Sequence, residues 1–249
     1  MATAAASGSV KTRAVLPGRK YDHWFFNSMA VLLFCTVAFG FARTYYLAGV
    51  FHAPLPSPII HVHGAVFSAW IIFLVAQTAL VGAGRVDLHR KLGTAGFLLA
   101  CLMVFVGMWA AANAIGRGSH PPGVDAATFL IVPATDILIF GTLIFFAWRA
   151  RFNAAAHKRL VMVATVALMT AAVARWPFAM VQGKIIAAAG ATYVFLVFIV
   201  IYDLWSTHKV HRATLWSSLF LIAVEFVRFP VSQTAVWRSF AGWVAHFHA

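Results

Sequence analysis

Residues 61–93 read HVHGAVFSAWIIFLVAQTALVGAGRVDLHRKLG. The apolar run that follows the two histidines has roughly 20 residues, the length at which an α-helix crosses the hydrocarbon core of a bilayer. We therefore predict a membrane-spanning helix over residues 57–82. It has histidines near its start and a basic turn after its end, and the rest of the chain repeats this alternation of apolar runs and short polar turns.

The composition indicates a polytopic membrane protein. Of 249 residues, 62% are hydrophobic and only 10% are charged, so one water-soluble core cannot hide the apolar surface. A net charge of +13 would suggest a nucleic-acid partner for a soluble protein. Here the bases lie in short turns between apolar runs, so the lipid bilayer is the expected partner and nucleic acid is not.

Seven apolar segments predict an all-α transmembrane bundle of seven helices. They cover residues 25–43, 57–82, 92–115, 126–148, 160–178, 185–205 and 214–229. Residues 1–23 are basic and are predicted to form a disordered tail, and residues 24–230 the transmembrane domain. In residues 231–249 the apolar side chains of Val236, Phe240, Trp243 and Phe247 recur at helical spacing. This segment is predicted to be an amphipathic helix on the outer membrane surface.

The distribution of Lys and Arg predicts the orientation. Most of these bases fall in the tail and in the turns on one side of the predicted bundle. The positive-inside rule places that side in the cytoplasm. We therefore expect a protein of an inner (plasma) membrane whose amino terminus is cytoplasmic and whose carboxyl terminus is outside.

Two turns resemble one another and also resemble a known family. The motif LHRKLG at 88–93 precedes the third segment and HKRL at 157–160 the fifth, which fits either a parallel internal repeat or a common way to start a helix. Together with RTYY at 43–46 and HVHG at 61–64, they resemble a bacterial family of multi-spanning membrane proteins of unknown function with LHRxLG and HKRL turns. The resemblance covers roughly residues 41–178. It implies a helical membrane domain and no particular activity.

Ionisable side chains inside the apolar segments are the first candidate site. Such groups are costly in a bilayer and are usually paired or functional. Asp136 is predicted near the midplane with Arg175 as its partner. Glu225 is predicted to pair with Arg228, three residues later on the same helical face.

Arg43 and the histidines His61 and His63 belong to the same outer half of the bundle. Three arginines, Arg43, Arg175 and Arg228, outnumber the two acids of this half. The resulting surplus of positive charge suits an anionic group such as a haem propionate, a lipid phosphate or an organic acid. The alternative is a buried network that only locks helix packing. Because residues two apart on a helix point about 200° from one another, His63 is expected to face the interior and His61 not. Both bind one metal ion only if the helix begins after them or is distorted there.

His89 and His157 form a second candidate site. Each is predicted to lie at the cytoplasmic end of a helix beside two bases. One interpretation is an interfacial cation at each position. The other is that the two rings approach each other and bind haem iron axially, as in bis-histidine membrane cytochromes.

Three functions remain open from the sequence. The first is a membrane protein that binds a cofactor, with b-type haem or a metal ion the candidates, for electron transfer. The second is a transporter of a small organic anion or a proton, with Asp136 and Glu225 as the relay. The third is an accessory subunit that binds protein partners in a larger membrane complex. No catalytic residue is identified, because phosphate-binding loops and hydrolase motifs are absent, and the seventh segment has no lysine for a retinal Schiff base.

Overall fold

The computed structural model describes residues 21–54, 56–119 and 124–247, which form a bundle of helices. The helices are α1 Asp22–Phe41, extended by a π-helix Ala42–Tyr46, then α2 Pro58–Gly82, α3 Val86–Gly116, α4 Ala126–Arg149, α5 Ala154–Val166, α6 Thr170–Val173, α7 Ile185–Thr207, α8 Arg212–Ser232 and α9 Ala235–Phe247. The described ranges contain no strand, which confirms the all-α prediction. They contain seven helical spans long and apolar enough to cross a membrane, with α5 and α6 counted as one, so the chain is an integral membrane protein. The predicted disordered tail falls almost wholly outside the described residues.

The helices differ in length from the predicted apolar segments in three places. Helix α3 begins at Val86, so the basic LHRKLG motif is helical. The fifth span begins at Ala154 and its helix is interrupted after Val166. The last helical turn of the span, α6, ends at Val173. Pro177 accounts for this early end, because a proline disfavours helical backbone at the residue before it. In the last span Pro230 does not end α8, which continues to Ser232.

Local signals in the turns fix where the helices start. The Asp125 carboxylate caps α4 by accepting the Thr128 backbone N–H at 3.1 Å. The Asn153 side chain caps α5 in the same way. Gly84 joins α2 to α3 with φ of +74°, a conformation that favours glycine.

Helix α4 is central, because it packs against α3, α5, α8 and α9. The core consists of fully buried side chains from several helices, among them Leu33, Met103, Phe140, Val163 and Ile199. Consecutive spans alternate in direction, so the α2–α3, α4–α5 and α7–α8 turns meet at one end of the bundle. We call this the basic end, because its turns and helix ends carry Arg85, Arg90, Lys91, Arg149, Arg151, Lys158, Lys209 and Arg212.

Helix α9 closes the opposite end of the bundle. Its Ala241 and Val244 are buried against α3 and α4, and the Trp237 ring N–H donates to the Ala127 carbonyl at 2.8 Å. The side chains of Phe240 and Trp243 on its other face are exposed. The amphipathic helix is therefore present, with a free apolar face on which lipid can pack.

Candidate functional site

A cavity of about 690 Å³ lies between α1, α2, α3, α4 and α5, in the half of the bundle near the basic end. Aromatic rings form much of its wall, so we call it the aromatic cavity. They belong to Phe26, Trp70, Phe73, Phe97, Trp148 and Phe152. The bases Arg90, Arg151 and Lys158 also line it. A volume of about 300–1,000 Å³ with apolar walls and few polar groups is typical of cofactor and small-molecule sites.

His89 and His157 face each other in this cavity. Each is the fourth residue of its helix, α3 or α5, so the two similar turns place equivalent histidines side by side. Their ring centroids are 6.4 Å apart and their planes lie at 77° to each other. The predicted approach of the two rings is therefore present in the structure.

The His157 ring is held by the backbone. Its Nδ1 lies 2.9 Å from the carbonyl oxygen of Ala147 at the end of α4. A carbonyl only accepts, so Nδ1 carries the proton and Nε2 keeps its lone pair. Metal-binding histidines are usually fixed in this way, by donating their other ring N–H to a carbonyl or carboxylate.

Three further polar atoms on residues that line the aromatic cavity have no hydrogen-bond partner within the described part of the chain. They are Nδ1 of His89 and both the oxygen and the nitrogen of the Gln77 side-chain amide. Gln77 is only 8% exposed, so solvent does not satisfy its amide fully. Leaving buried polar groups unpaired costs about 1–3 kcal/mol each, and a bound ligand would remove that cost.

One of the two predicted acid pairs is replaced by another and the other is present. Asp136 pairs with Arg228, not with Arg175, and the Arg228 Nη1 donates to its carboxylate at 2.7 Å. The predicted pair of Glu225 with Arg228 is present at 3.8 Å. Tyr193 completes the group by donating its hydroxyl hydrogen to Glu225 at 2.7 Å. One buried guanidinium thus lies between two carboxylates, in what we call the Arg228 triad: Asp136, Glu225 and Arg228.

The structure does not bring together the three arginines predicted to bind one anionic group, Arg43, Arg175 and Arg228. Arg175 lies beyond α6, where it covers the Phe41 ring and donates to the Ala171 carbonyl at 2.6 Å. Arg43 lies over the Phe51 ring in the segment after α1. The predicted surplus of positive charge is therefore wrong, because only Arg228 meets the acids. The early end of the fifth span explains why Arg175 is not inside the bundle at the level of Asp136.

His61 and His63 do not share a metal site. Helix α2 begins at Pro58, before both residues, so their side chains leave the helix in different directions. His63 stacks on Phe67 with centroids 4.0 Å apart, while His61 is exposed near Tyr45. The His63 side chain is the less exposed of the two. Across residues 21–54, 56–119 and 124–247, no group of three or more potential metal ligands occurs.

One buried ion pair was not predicted from the sequence. Arg159 on α5 donates through Nε to Asp203 on α7 at 2.8 Å and through Nη2 to the same oxygen. The other Asp203 oxygen accepts the His211 backbone N–H at 3.0 Å and the Thr214 hydroxyl at 2.6 Å. The sequence contained the signal, since Asp203 is an acid near the end of an apolar run and Arg159 lies in the HKRL motif.

No family model, curated protein or solved structure matches the chain. The resemblance of residues 41–178 to a membrane family of unknown function remains a prediction. The function is therefore argued from the geometry of the sites.

Proposed function

We propose that the protein binds b-type haem in the aromatic cavity, where the His89 and His157 imidazoles would hold the iron, and that it serves in electron transfer within the membrane. The observation that carries this proposal is the pair of imidazole rings 6.4 Å apart in an aromatic-walled cavity of about 690 Å³. When bound, haem supplies a one-electron couple between ferric and ferrous iron. The chain supplies the two imidazoles and the apolar walls.

The spacing of the two rings supports bis-histidine ligation. Two metal–nitrogen bonds of about 2 Å, with about 1 Å more from each nitrogen to its ring centre, span roughly 6 Å. The 6.4 Å between the His89 and His157 centroids agrees with this span. The Ala147 carbonyl leaves Nε2 of His157 free to bind iron.

The charges around the cavity support an anionic, mostly apolar ligand. Arg90, Arg151 and Lys158 line the cavity, and cationic side chains of this kind bind carboxylates such as haem propionates. Lys158 is held 2.5 Å from Asp22, which leaves the two arginines as the propionate partners. A bare metal ion fits less well, because two histidines alone do not complete a coordination sphere.

Spectroscopy of the full-length protein tests the proposal. The protein is expressed with excess haem, purified in mild detergent, and examined by absorption before and after dithionite. We expect a Soret band and the sharp reduced bands of low-spin bis-histidine haem, with about one iron per chain. The variants H89A and H157A should each lose the low-spin spectrum, and the control H61A, at the opposite end, should keep it. A colourless protein, or a spectrum unchanged in both H89A and H157A, would overturn the proposal.

Proton-coupled transport is the second candidate, and the Arg228 triad favours it. Two carboxylates share one guanidinium in the middle of the bundle, and the Glu225 carboxylate accepts from Tyr193. Buried acids in excess over bases are common in proton relays. Proteoliposomes loaded with a pH-sensitive dye test this candidate. Proton flux in the wild-type protein that D136N abolishes would support it, and equal flux in both would exclude it.

The distribution of bases supports a cytoplasmic location for the basic end in a bacterial inner membrane. The bases of the turns concentrate at that end, and α9 lies at the other. Reporter fusions after α9 test this orientation. We expect alkaline phosphatase to be active there and green fluorescent protein to be dark, and the reverse pattern would contradict it.

A further inference from the structure

A second cavity, distinct from the aromatic cavity, opens at the basic end between the start of α5 and the α7–α8 turn. Its volume is about 700 Å³. We call it the polar cavity. Its wall shares four residues with the aromatic cavity, and two of them, Asp22 and Lys158, form an ion pair that stands between the two spaces.

The charge of the polar cavity is positive. Lys158, Arg159 and Lys209 line it, and Asp22 is the acid among its lining residues. Lys158 and Arg159 already have carboxylate partners, whereas Lys209 forms no ion pair with any described residue. The free cation and the net positive wall favour an anionic ligand.

Ser206 provides an independent sign of a ligand. Ser206 lines the polar cavity and is only 4% exposed. Its hydroxyl has no hydrogen-bond partner anywhere in the described ranges. A serine on a helix can usually bond to the carbonyl one turn back, so an unused buried hydroxyl beside a cavity points to an acceptor that belongs to the ligand.

Backbone donors of α5 add to the site. Asn153 caps the helix by accepting the Ala156 N–H, and the preceding amides of Ala154 and Ala155 have no acceptor within their own helix. Both of these residues line the polar cavity. Helix amino termini bind phosphate and similar anions through such amides and through the helix dipole.

His211 also suits an anionic ligand without itself being charged. Its Nδ1 accepts the Ala213 N–H at 3.0 Å, so the neutral ring carries its hydrogen on Nε2 as a donor. Burial, and then the Arg159 charge, hold the pKa of His211 below its ordinary value. The ring is therefore a neutral hydrogen-bond donor at pH 7.

We propose that the polar cavity binds a phosphate group through Lys209, the Ser206 hydroxyl and the first amides of α5. The phosphate belongs either to the headgroup of an anionic phospholipid or to a soluble phosphate compound. The site does not depend on haem, because the histidine pair lies in the other cavity.

Binding to the full-length protein in neutral detergent tests the proposal. Native mass spectrometry measures phosphatidylglycerol against phosphatidylcholine, and calorimetry measures inorganic phosphate. The test variants are S206A and K209Q, and the control is R212Q, which removes an exposed base of the same end from outside the cavity wall.

We expect S206A to weaken binding about tenfold, since hydrogen bonds to charged groups are stronger than those between neutral groups. K209Q should weaken it about two- to fivefold, because an exposed cation contributes less. R212Q should bind as the wild type does. Preference for phosphatidylglycerol without phosphate binding would identify the lipid as the source, and phosphate binding would identify a soluble ligand. Failure of both probes to bind, or equal loss in S206A and R212Q, would overturn the proposal.

Discussion

Arg228 on α8 and Asp136 on α4 are joined by a hydrogen bond of 2.7 Å in the middle of the bundle, with the arginine side chain completely buried. Ninety-two residues separate the partners in sequence. The bond fastens α8 to the central helix, and the same guanidinium lies 3.8 Å from Glu225 on its own helix. The two acids therefore differ in what they contribute.

Removing Asp136 should cost much more stability than neutralising Glu225. D136A leaves a buried guanidinium without its hydrogen-bonded carboxylate, which typically costs about 3–5 kcal/mol. E225Q keeps an acceptor for the Tyr193 hydroxyl and loses only the longer ion pair. Thermal unfolding in detergent, followed by the helical circular dichroism signal, should show a large drop in unfolding temperature for D136A and a small one for E225Q. Equal drops would contradict the different roles of the two acids.

The ion pair of Arg159 with Asp203 should likewise outweigh that of Lys158 with Asp22. Asp203 is fully buried and accepts four hydrogen bonds, so D203A should destabilise the protein by about 3–5 kcal/mol. Asp22 is partly exposed and pairs with a partly exposed lysine, so D22A should cost less. The same unfolding assay compares them. A larger effect for D22A would show that the buried ion pair is not the main interaction that holds α5, α7 and α8 together.

Gly40 should not tolerate alanine, because α1 approaches α6 there. A Cβ atom at Gly40 would lie 2.3 Å from the backbone oxygen of Ala172, and backbone does not move aside as a flexible side chain does. We expect G40A to destabilise the protein by about 1–3 kcal/mol. The control is G190A on α7, where a Cβ meets nothing within 4 Å and helix propensity favours alanine. Unfolding temperatures that fall equally in both variants would refute the close approach of α1 and α6.

The cap at the start of α8 should stabilise the protein less as the pH falls. The neutral His211 ring caps this helix, and the folded-state pKa lies below the ordinary 6.5. The stabilisation is therefore complete above about pH 6.5 and declines as the pH falls through 6.5 towards the folded-state pKa. H211N keeps a good cap that does not titrate, so the variant should lose less stability than the wild type between pH 7.5 and 5, where the cap is worth about 0.5–2 kcal/mol. Parallel pH profiles would contradict this role, since other histidines titrate equally in both proteins.

The sequence predicted the spans and the approach of His89 to His157 because both follow from local patterns. An apolar run of bilayer length has few alternatives, and two equivalent basic turns place their histidines at the same helical position. The pairing of Asp136 could not be predicted in this way, since it depends on which helix lies beside α4. Pairing it with Arg175 also assumed a continuous fifth span, and the break after Val166 removed that arginine from the bundle.

The Gln77 side chain should lower the stability of the ligand-free protein and favour ligand binding. Both atoms of its amide are buried without a partner in the described residues, so replacing it with leucine removes a desolvation cost and adds apolar contact in the aromatic cavity. Without ligand, Q77L should unfold at a higher temperature than the wild type, while its haem occupancy should fall. The control is Q233L, because the Gln233 amide donates to Thr128 and Ser232, and its loss should lower the unfolding temperature without changing haem occupancy. A Q77L protein that is less stable than the wild type when ligand-free would mean that the amide serves the fold and not the ligand.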